Sequence, residues 1–89
     1  EIRGIVDLMI DRLREQTAVS GVTVDLTEAG RELLVEKGYD PMLGARPLRR
    51  AIQRLIENPL SSELLRGAFS EGDTIVVDAD GESMRFKKS

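Results

Sequence analysis

The chain has 89 residues, 16 acidic and 13 basic side chains, a net charge of −3, and neither cysteine nor histidine. The missing residue types exclude thiolate nucleophiles, disulfides, imidazole bases and the usual zinc sites. The acidic balance argues against nucleic acid as a partner, and no apolar run approaches the roughly 18 residues of a membrane span. The composition therefore predicts one small domain with an aliphatic core, and the absence of cysteine fits a reducing, cytoplasmic location.

The first half of the chain reads as helix, strand, helix. Apolar residues at helical spacing predict a helix over about residues 2–17. Apolar and polar residues then alternate over residues 22–26, which predicts a short, half-buried strand. Thr27 is a good N-cap for a second helix that runs to about Lys37, with Gly38 as its stop.

The next segment reads as a loop followed by two helices. Residues 39–45 form the loop, and Pro47 fits the first turn of a third helix, where its missing N–H costs nothing. Asn58-Pro59 is predicted to end that helix and to begin a fourth, which Gly67 stops. The sequence thus predicts four helices in all.

The end of the chain reads as a β-hairpin. Alternating apolar residues predict one strand near Ile75 and Val77 and another near Met84 and Phe86, joined at Asp80-Gly81. Residues 87–89 read as a frayed tail. An isolated hairpin is marginally stable, so the earlier strand is expected to join it. The predicted fold class is α+β, with about four helices packed on a small three-stranded sheet.

One stretch points to a binding site. Residues 38–50 read GYDPMLGARPLRR and place Arg46 at the opening of the third helix. A helix opening presents unpaired N–H groups to anions, and a guanidinium carries a planar fork of donors that matches phosphate oxygens. The alternative is an arginine that caps the loop or pairs with one of the acidic residues, and the residues alone leave both interpretations open.

The same stretch resembles the second-sensor segment of the Clp/Hsp100 family of AAA+ unfoldases, through its GYDP and GARPLRR motifs at residues 38–41 and 44–50. The resemblance continues through AIQR, ENPL and ELLRG at residues 51–54, 57–60 and 63–67, and ends in an EGD turn and a valine-rich strand. It covers nearly the whole chain. The most similar part of the family is the carboxy-terminal small subdomain of the second AAA+ module, in ClpC-type proteins first and ClpB-type proteins next.

The resemblance implies a nucleotide partner, ATP or ADP, with magnesium held by a large subdomain outside this sequence. Arg46 would be the second-sensor arginine, which reaches the terminal phosphate, and Gly44 and Ala45 would be spacers that allow close approach. Ile5 would lie on the adenine side. Its spacing with Val6 favours core packing instead, because such a stripe on a helix usually faces the core.

Three further arginines follow Arg46 on the same helix: Arg49, Arg50 and Arg54. The resemblance implies that they contact the protein's own large subdomain or a neighbouring subunit of a homohexamer. A solvated charged face is the ordinary alternative for such a run. A nucleic-acid helix is disfavoured by the acidic net charge and by the lack of nearby aromatic side chains.

The sequence lacks a phosphate-binding loop of the form GxxxxGK[ST] and any cluster with metal-ligand spacing, so no catalytic residue or metal site is expected within it. The predicted function is that of a lid subdomain in an ATP-dependent unfoldase, whose parent unfolds protein substrates for degradation by ClpP. A ClpB-type disaggregase is the alternative within the family. A stand-alone protein-interaction module and a small nucleic-acid binder are alternatives of other classes.

Overall fold

The chain folds into three helices packed against one three-stranded sheet, in a computed structural model that describes residues 2–89. Helix α1 spans Ile2–Ala18, α2 spans Glu28–Gly38, and α3 covers residues 48–65; strands β1, β2 and β3 span Thr23–Leu26, Thr74–Asp80 and Ser83–Lys88. This arrangement confirms the α+β class. The helix count of four was wrong, because the third and fourth predicted helices are one.

Helix α3 is continuous through the proline that was expected to end it. It consists of an α-helical segment, Leu48–Ile52, a π-helical segment, Gln53–Glu57, and a second α-helical segment, Asn58–Leu65. The N–H of Asn58 bonds to the carbonyl of Gln53, five residues back. Pro59 follows this wider π turn and lies in the first turn of the second α-helical segment. A backbone N–H is not required for helical hydrogen bonding at that position, so proline is tolerated there.

The sheet has the order β1-β2-β3. β1 pairs with β2 in parallel, with Val24 opposite Ile75, and β2 pairs with β3 antiparallel, with Val77 opposite Phe86. The earlier strand therefore joins the hairpin as predicted. Helices α2 and α3 lie in the long crossover that a parallel pair requires.

The hairpin and the end of the chain differ slightly from the sequence prediction. Asp80 pairs with Ser83, so the two-residue loop consists of Gly81 and Glu82 rather than of Asp80-Gly81. The expected frayed tail is wrong. Lys87 and Lys88 belong to β3, and the N–H of Ser89 donates to the carbonyl of Thr74 at 2.8 Å.

The core is aliphatic, as the composition predicted, and every helix contributes to it. The largest fully buried side chains come from the helices and from strands β1 and β2: Val6, Ile10, Val24, Leu34, Leu48, Ile56, Leu60, Ile75 and Val77. Within residues 2–89, no helix combines the length and the apolar character needed to cross a membrane.

Both ends of α2 are fixed by specific contacts. Thr27 is its N-cap, as predicted: the Thr27 hydroxyl accepts from the N–H of Gly30 at 3.0 Å and donates to Asp78 Oδ1 at 2.6 Å. This hydrogen bond, with a second from the N–H of Ala79, holds the pKa of Asp78 below its usual value. Gly38 is the last residue of α2, but close packing against Leu48, rather than a left-handed backbone, requires glycine there.

Candidate functional site

The loop between α2 and α3 is folded on itself around Asp40. Asp40 Oδ1 accepts from the N–H groups of Met42 at 2.7 Å and Leu43 at 3.1 Å. The backbones of Asp40 and Gly44 exchange two hydrogen bonds of 2.8 and 2.6 Å. An aspartate that bonds backbone groups two and three residues ahead fixes a tight turn. The loop therefore holds a defined shape immediately before Arg46.

Gly44 closes this loop with a left-handed backbone, φ +67°. A β-carbon at this position would meet no atom within 4 Å, so the backbone angle rather than space explains the glycine. The N–H of Leu48 then donates to Ala45 at 3.0 Å, and that of Ala51 donates to Pro47. Gly44 and Ala45 thus form the turn that leads into α3.

Arg46 is exposed in the last turn before α3. Within residues 2–89, its side chain forms no ion pair or hydrogen bond, so the alternative of pairing with an acidic residue finds no partner among them. A free guanidinium at this position keeps all its donors for a ligand or a partner.

The neighbouring arginines share this property. Arg49, Arg50 and Arg54 are exposed on α3 and also lack an intrachain acidic partner within the described part of the chain. By contrast, Arg14 bonds to Asp11 and to the carbonyl of Val24. Arg31 bonds to both Asp7 and Glu28, and its hydrogen bond to Asp7 is the main cause of its raised pKa. The intrachain ion pairs lie elsewhere on the fold.

Two adjoining grooves lie between α1 and α3. The first groove is lined by Met9, Arg12, Gln16, Arg49, Ile52, Gln53 and Glu57. The second is lined mostly by later residues of both helices: Leu13, Gln16, Thr17, Ser20, Glu57, Asn58, Leu60, Ser61 and Leu64. The two grooves share Gln16 and Glu57.

The two proposed contact residues lie near different ends of α2. Ile5 belongs to the start of α1, which is joined to the first turn of α2 by the ion pairs Arg3–Glu28 and Arg31–Asp7. Arg46 precedes α3, whose first residue, Leu48, packs against Gly38 at the end of α2.

Core packing, the preferred interpretation of the Ile5-Val6 pair, holds only for Val6. Val6 is fully buried, whereas Ile5 is 37% exposed and lies outside the core cluster. The two residues are 100° apart around the helix, so only one of them can face the core squarely. Ile5 is left at the surface, where it can contact a ligand or another part of the protein.

The loop exposes apolar side chains beside Arg46. Tyr39, Met42 and Leu43 are exposed, and Met42 is 91% exposed. The N–H of Arg46 bonds to the carbonyl of Leu43, so this apolar surface adjoins the arginine. It was not predicted from the sequence, because Asp40-Pro41 indicates only a turn. Adjoining exposed apolar side chains commonly mark a surface that another body covers.

The positive charge beside the preformed loop suits an anion. Residues 2–89 hold no group of three or more acidic side chains placed to bind a metal ion.

Three helices on a mixed three-stranded sheet, with a free arginine at the opening of the third helix, define a small domain of the AAA+ type. Residues 1–77 match the family model described as "C-terminal, D2-small domain, of ClpB protein". The chain belongs to this family of Clp/Hsp100 carboxy-terminal small domains.

Several similar proteins match nearly the whole chain. It is 47% identical over 88 residues to the "Chaperone protein ClpB" of Gloeobacter violaceus, 44% over 86 residues to that of Rhodopirellula baltica, and 43% over 89 residues to that of Aquifex aeolicus. These matches cover 97–99% of this chain but only 9–10% of each relative. The chain thus spans about a tenth of the length of these relatives.

Proposed function

We propose that this chain is the lid of a nucleotide site in an AAA+ chaperone and that Arg46 senses the terminal phosphate of ATP. The observation that carries the proposal is the Arg46 guanidinium, which has no partner within residues 2–89 and adjoins an exposed apolar loop. Ile5 adds a partly exposed apolar side chain on α1. Each of these features lacks a partner within residues 2–89, and an adjacent large domain with bound nucleotide would supply one for each.

The two proposed ligand contacts involve different parts of the nucleotide. Ile5 offers apolar surface for the adenine, and Arg46 offers paired donors for the terminal phosphate. Magnesium and the attacking water would be held by the large domain, because this chain contains no phosphate-binding loop. The chain's own contribution is positioning and charge.

The lid would move as a rigid body when the terminal phosphate leaves. Arg46 sits on a turn that is fixed by Gly44 and by the hydrogen bonds of Asp40, so a shift at the guanidinium is transmitted to α3. The core side chains of α3 join it to the sheet and to α1. A change of contact at one arginine can therefore reorient the whole domain.

The family match supports a ClpB-type parent, in which ATP-driven threading of proteins dissolves aggregates together with a separate chaperone system. The ClpC-type parent that was ranked first from the sequence, with ClpP as its protease partner, receives no such support, since the matched domain and the relatives carry the name ClpB. In either case, unfolded proteins would be the substrates of the parent.

Assembly into a homohexamer is the second part of the proposal. Arg49, Arg50 and Arg54 would contact acidic groups of the protein's own large subdomain or of a neighbouring subunit. The support is that all three lack partners within residues 2–89 although acids outnumber bases in the chain. The same acidic balance argues against nucleic acid on this face.

The test uses the full-length protein that carries this domain. Arg46→Ala is compared with Arg66→Ala, a control that removes an exposed arginine just after α3 with no proposed contact. We expect ATP hydrolysis to fall on the order of tenfold or more in Arg46→Ala and to change little in Arg66→Ala, provided that size-exclusion chromatography shows equal assembly. Equal hydrolysis in both variants and the parent would overturn the sensor role.

A further inference from the structure

The first groove between α1 and α3 contains two arginines that come from different helices. Arg12 lines it from α1 and Arg49 lines it from α3. Within the described part of the chain, neither side chain has an ion pair or a hydrogen bond. Two guanidiniums without described partners thus border one concave surface. The sequence did not indicate this feature, because the charges around Arg12 are typical of a solvated helix face.

The placement of these charges contrasts with the rest of α1 and α2. Arg14 lies two residues from Arg12 and is bonded twice, and Arg31 of α2 is bonded to two carboxylates. The chain has more acids than bases, so intrachain partners are abundant. Positive charge without intrachain compensation on both sides of a groove attracts an acidic group from outside.

The groove has the size and lining of a binding site. Its volume is about 390 Å³, which falls within the range of about 300–1,000 Å³ typical of small-ligand sites. Met9 provides most of the apolar surface, because Ile52 at the base of the groove is only 4% exposed, and Gln16 and Gln53 provide further hydrogen-bonding groups. The π segment of α3 lies along this wall, and such segments occur frequently at functional sites.

The two ends of the groove also differ in charge, with Arg49 toward one end and Glu57 toward the other. Glu57 follows Arg49 by eight residues on α3, about 12 Å at the ordinary helical rise. A negatively charged occupant is therefore attracted at the Arg49 end and repelled at the Glu57 end. This difference favours one direction of binding.

We infer that this groove binds a protein segment in which an acidic side chain, flanked by apolar side chains, inserts between Arg12 and Arg49. The carboxylate accepts hydrogen bonds from both guanidiniums, and the flanking apolar groups cover Met9 above the buried Ile52. The inference goes beyond the proposed nucleotide function and does not depend on it, because Arg46 and Ile5 do not line this groove.

The mixture of groups favours a peptide over a free anion. Inorganic phosphate would use the arginines but leave the apolar surface uncovered. A nucleotide would place additional negative charge toward Glu57. A single carboxylate with apolar neighbours satisfies both the charge and the apolar surface.

The test uses the 89-residue chain, isotope-labelled, and the peptide acetyl-Ala-Leu-Glu-Leu-Ala-amide as the probe. Titration is followed by NMR through the arginine Nε–H resonances and the methyl resonances of Met9 and Ile52. We expect the Arg12 and Arg49 resonances to shift together with these methyl groups. The matched peptide with glutamine in place of glutamate is expected to bind about fivefold more weakly or worse.

Variants of the chain locate the site. Arg12→Ala and Arg49→Ala should each weaken binding about fivefold, whereas Arg50→Ala, which removes an exposed arginine outside the groove, should change it less than twofold. Far-UV circular dichroism checks that all three remain folded. Arg12→Lys combined with Arg49→Lys keeps both charges but loses the forked donors, so we expect intermediate binding.

Three results would overturn the inference. The first is the absence of coordinated shifts at Arg12 and Arg49 at the highest peptide concentration. The second is an equal loss of binding in Arg50→Ala, which would mean general attraction to a basic surface. The third is that acetate or inorganic phosphate alone reproduces the same shifts at the same concentrations, which would mean anion binding without a protein partner.

Discussion

Gly38 ends α2 at the point where this helix touches the start of α3, and it offers a sharp test of the packing that holds Arg46 in place. A β-carbon at Gly38 would lie 2.5 Å from Leu48 Cδ1 and 2.8 Å from Leu48 Cα. Carbon atoms pack best at about 3.5–4.0 Å. The Cδ1 atom can rotate away, but the Cα atom belongs to the backbone of α3, so Gly38→Ala must separate the two helices by several tenths of an ångström.

The expected cost follows from two opposing terms. Overpacking of a tight contact costs about 1–3 kcal/mol. Replacing glycine by alanine in a helix contributes about 0.5–1 kcal/mol in the other direction, and less at the last residue of the helix. Gly38→Ala should therefore lower the free energy of unfolding by about 1–2 kcal/mol. For a domain of this size, each kcal/mol lowers Tm by about 4–8 °C.

The control is Gly4→Ala, in the first part of α1. Nothing lies within 4 Å of a β-carbon at Gly4, so only the favourable helical term remains and this variant should gain about 0.5–1 kcal/mol. Urea unfolding followed by far-UV circular dichroism measures both variants against the parent chain. If Gly38→Ala proved as stable as Gly4→Ala, the close approach of Leu48 to Gly38 would be refuted.

Three further predictions concern the same framework. Thr27→Ala removes the acceptor for the Gly30 N–H and the donor to Asp78, so it should lower the free energy of unfolding by about 1–2 kcal/mol in a urea titration, whereas Thr27→Ser should retain most of it. The pKa of Asp78 is lower in the folded chain than its unfolded value of about 3.9. Ionised Asp78 therefore stabilises the fold above about pH 3.9, and this stabilisation is lost as the pH falls further. In a plot of the free energy of unfolding against pH, Asp78→Asn should reduce the slope in this acidic range. Gly44→Ala places a side chain on a left-handed backbone and should cost about 1–2 kcal/mol by the same titration, with Gly44→Asn milder.

Local signals predicted most of the fold. Periodicity and cap chemistry identified α1, β1 and α2, and Thr27 has the predicted cap hydrogen bond. The continuation of α3 through Pro59 was missed, because the usual rule for proline assumes an α-helix and does not anticipate a π turn just before it. The reason for Gly38 was also missed, because a close approach between two helices depends on tertiary packing.

The candidate site was predictable only in part. The motif around Arg46 located the arginine at the opening of the third helix, and the structure places it there. Periodicity could not separate Ile5 from Val6, since adjacent residues on a stripe both look apolar and only packing shows which one is buried. Arg12 gave no distinguishing signal, because its role depends on which residues of α3 lie across the groove.

The central claim is that Arg46 reads the terminal phosphate, and the ratio of ATP to ADP affinity tests it most directly. Both affinities are measured on the full-length protein under conditions that prevent hydrolysis, for the parent, Arg46→Ala and the control Arg66→Ala. We expect Arg46→Ala to weaken ATP binding by about tenfold or more while ADP binding stays nearly unchanged, because only ATP carries the phosphate that the guanidinium contacts. An equal loss of affinity for both nucleotides, or no loss for either, would contradict the account.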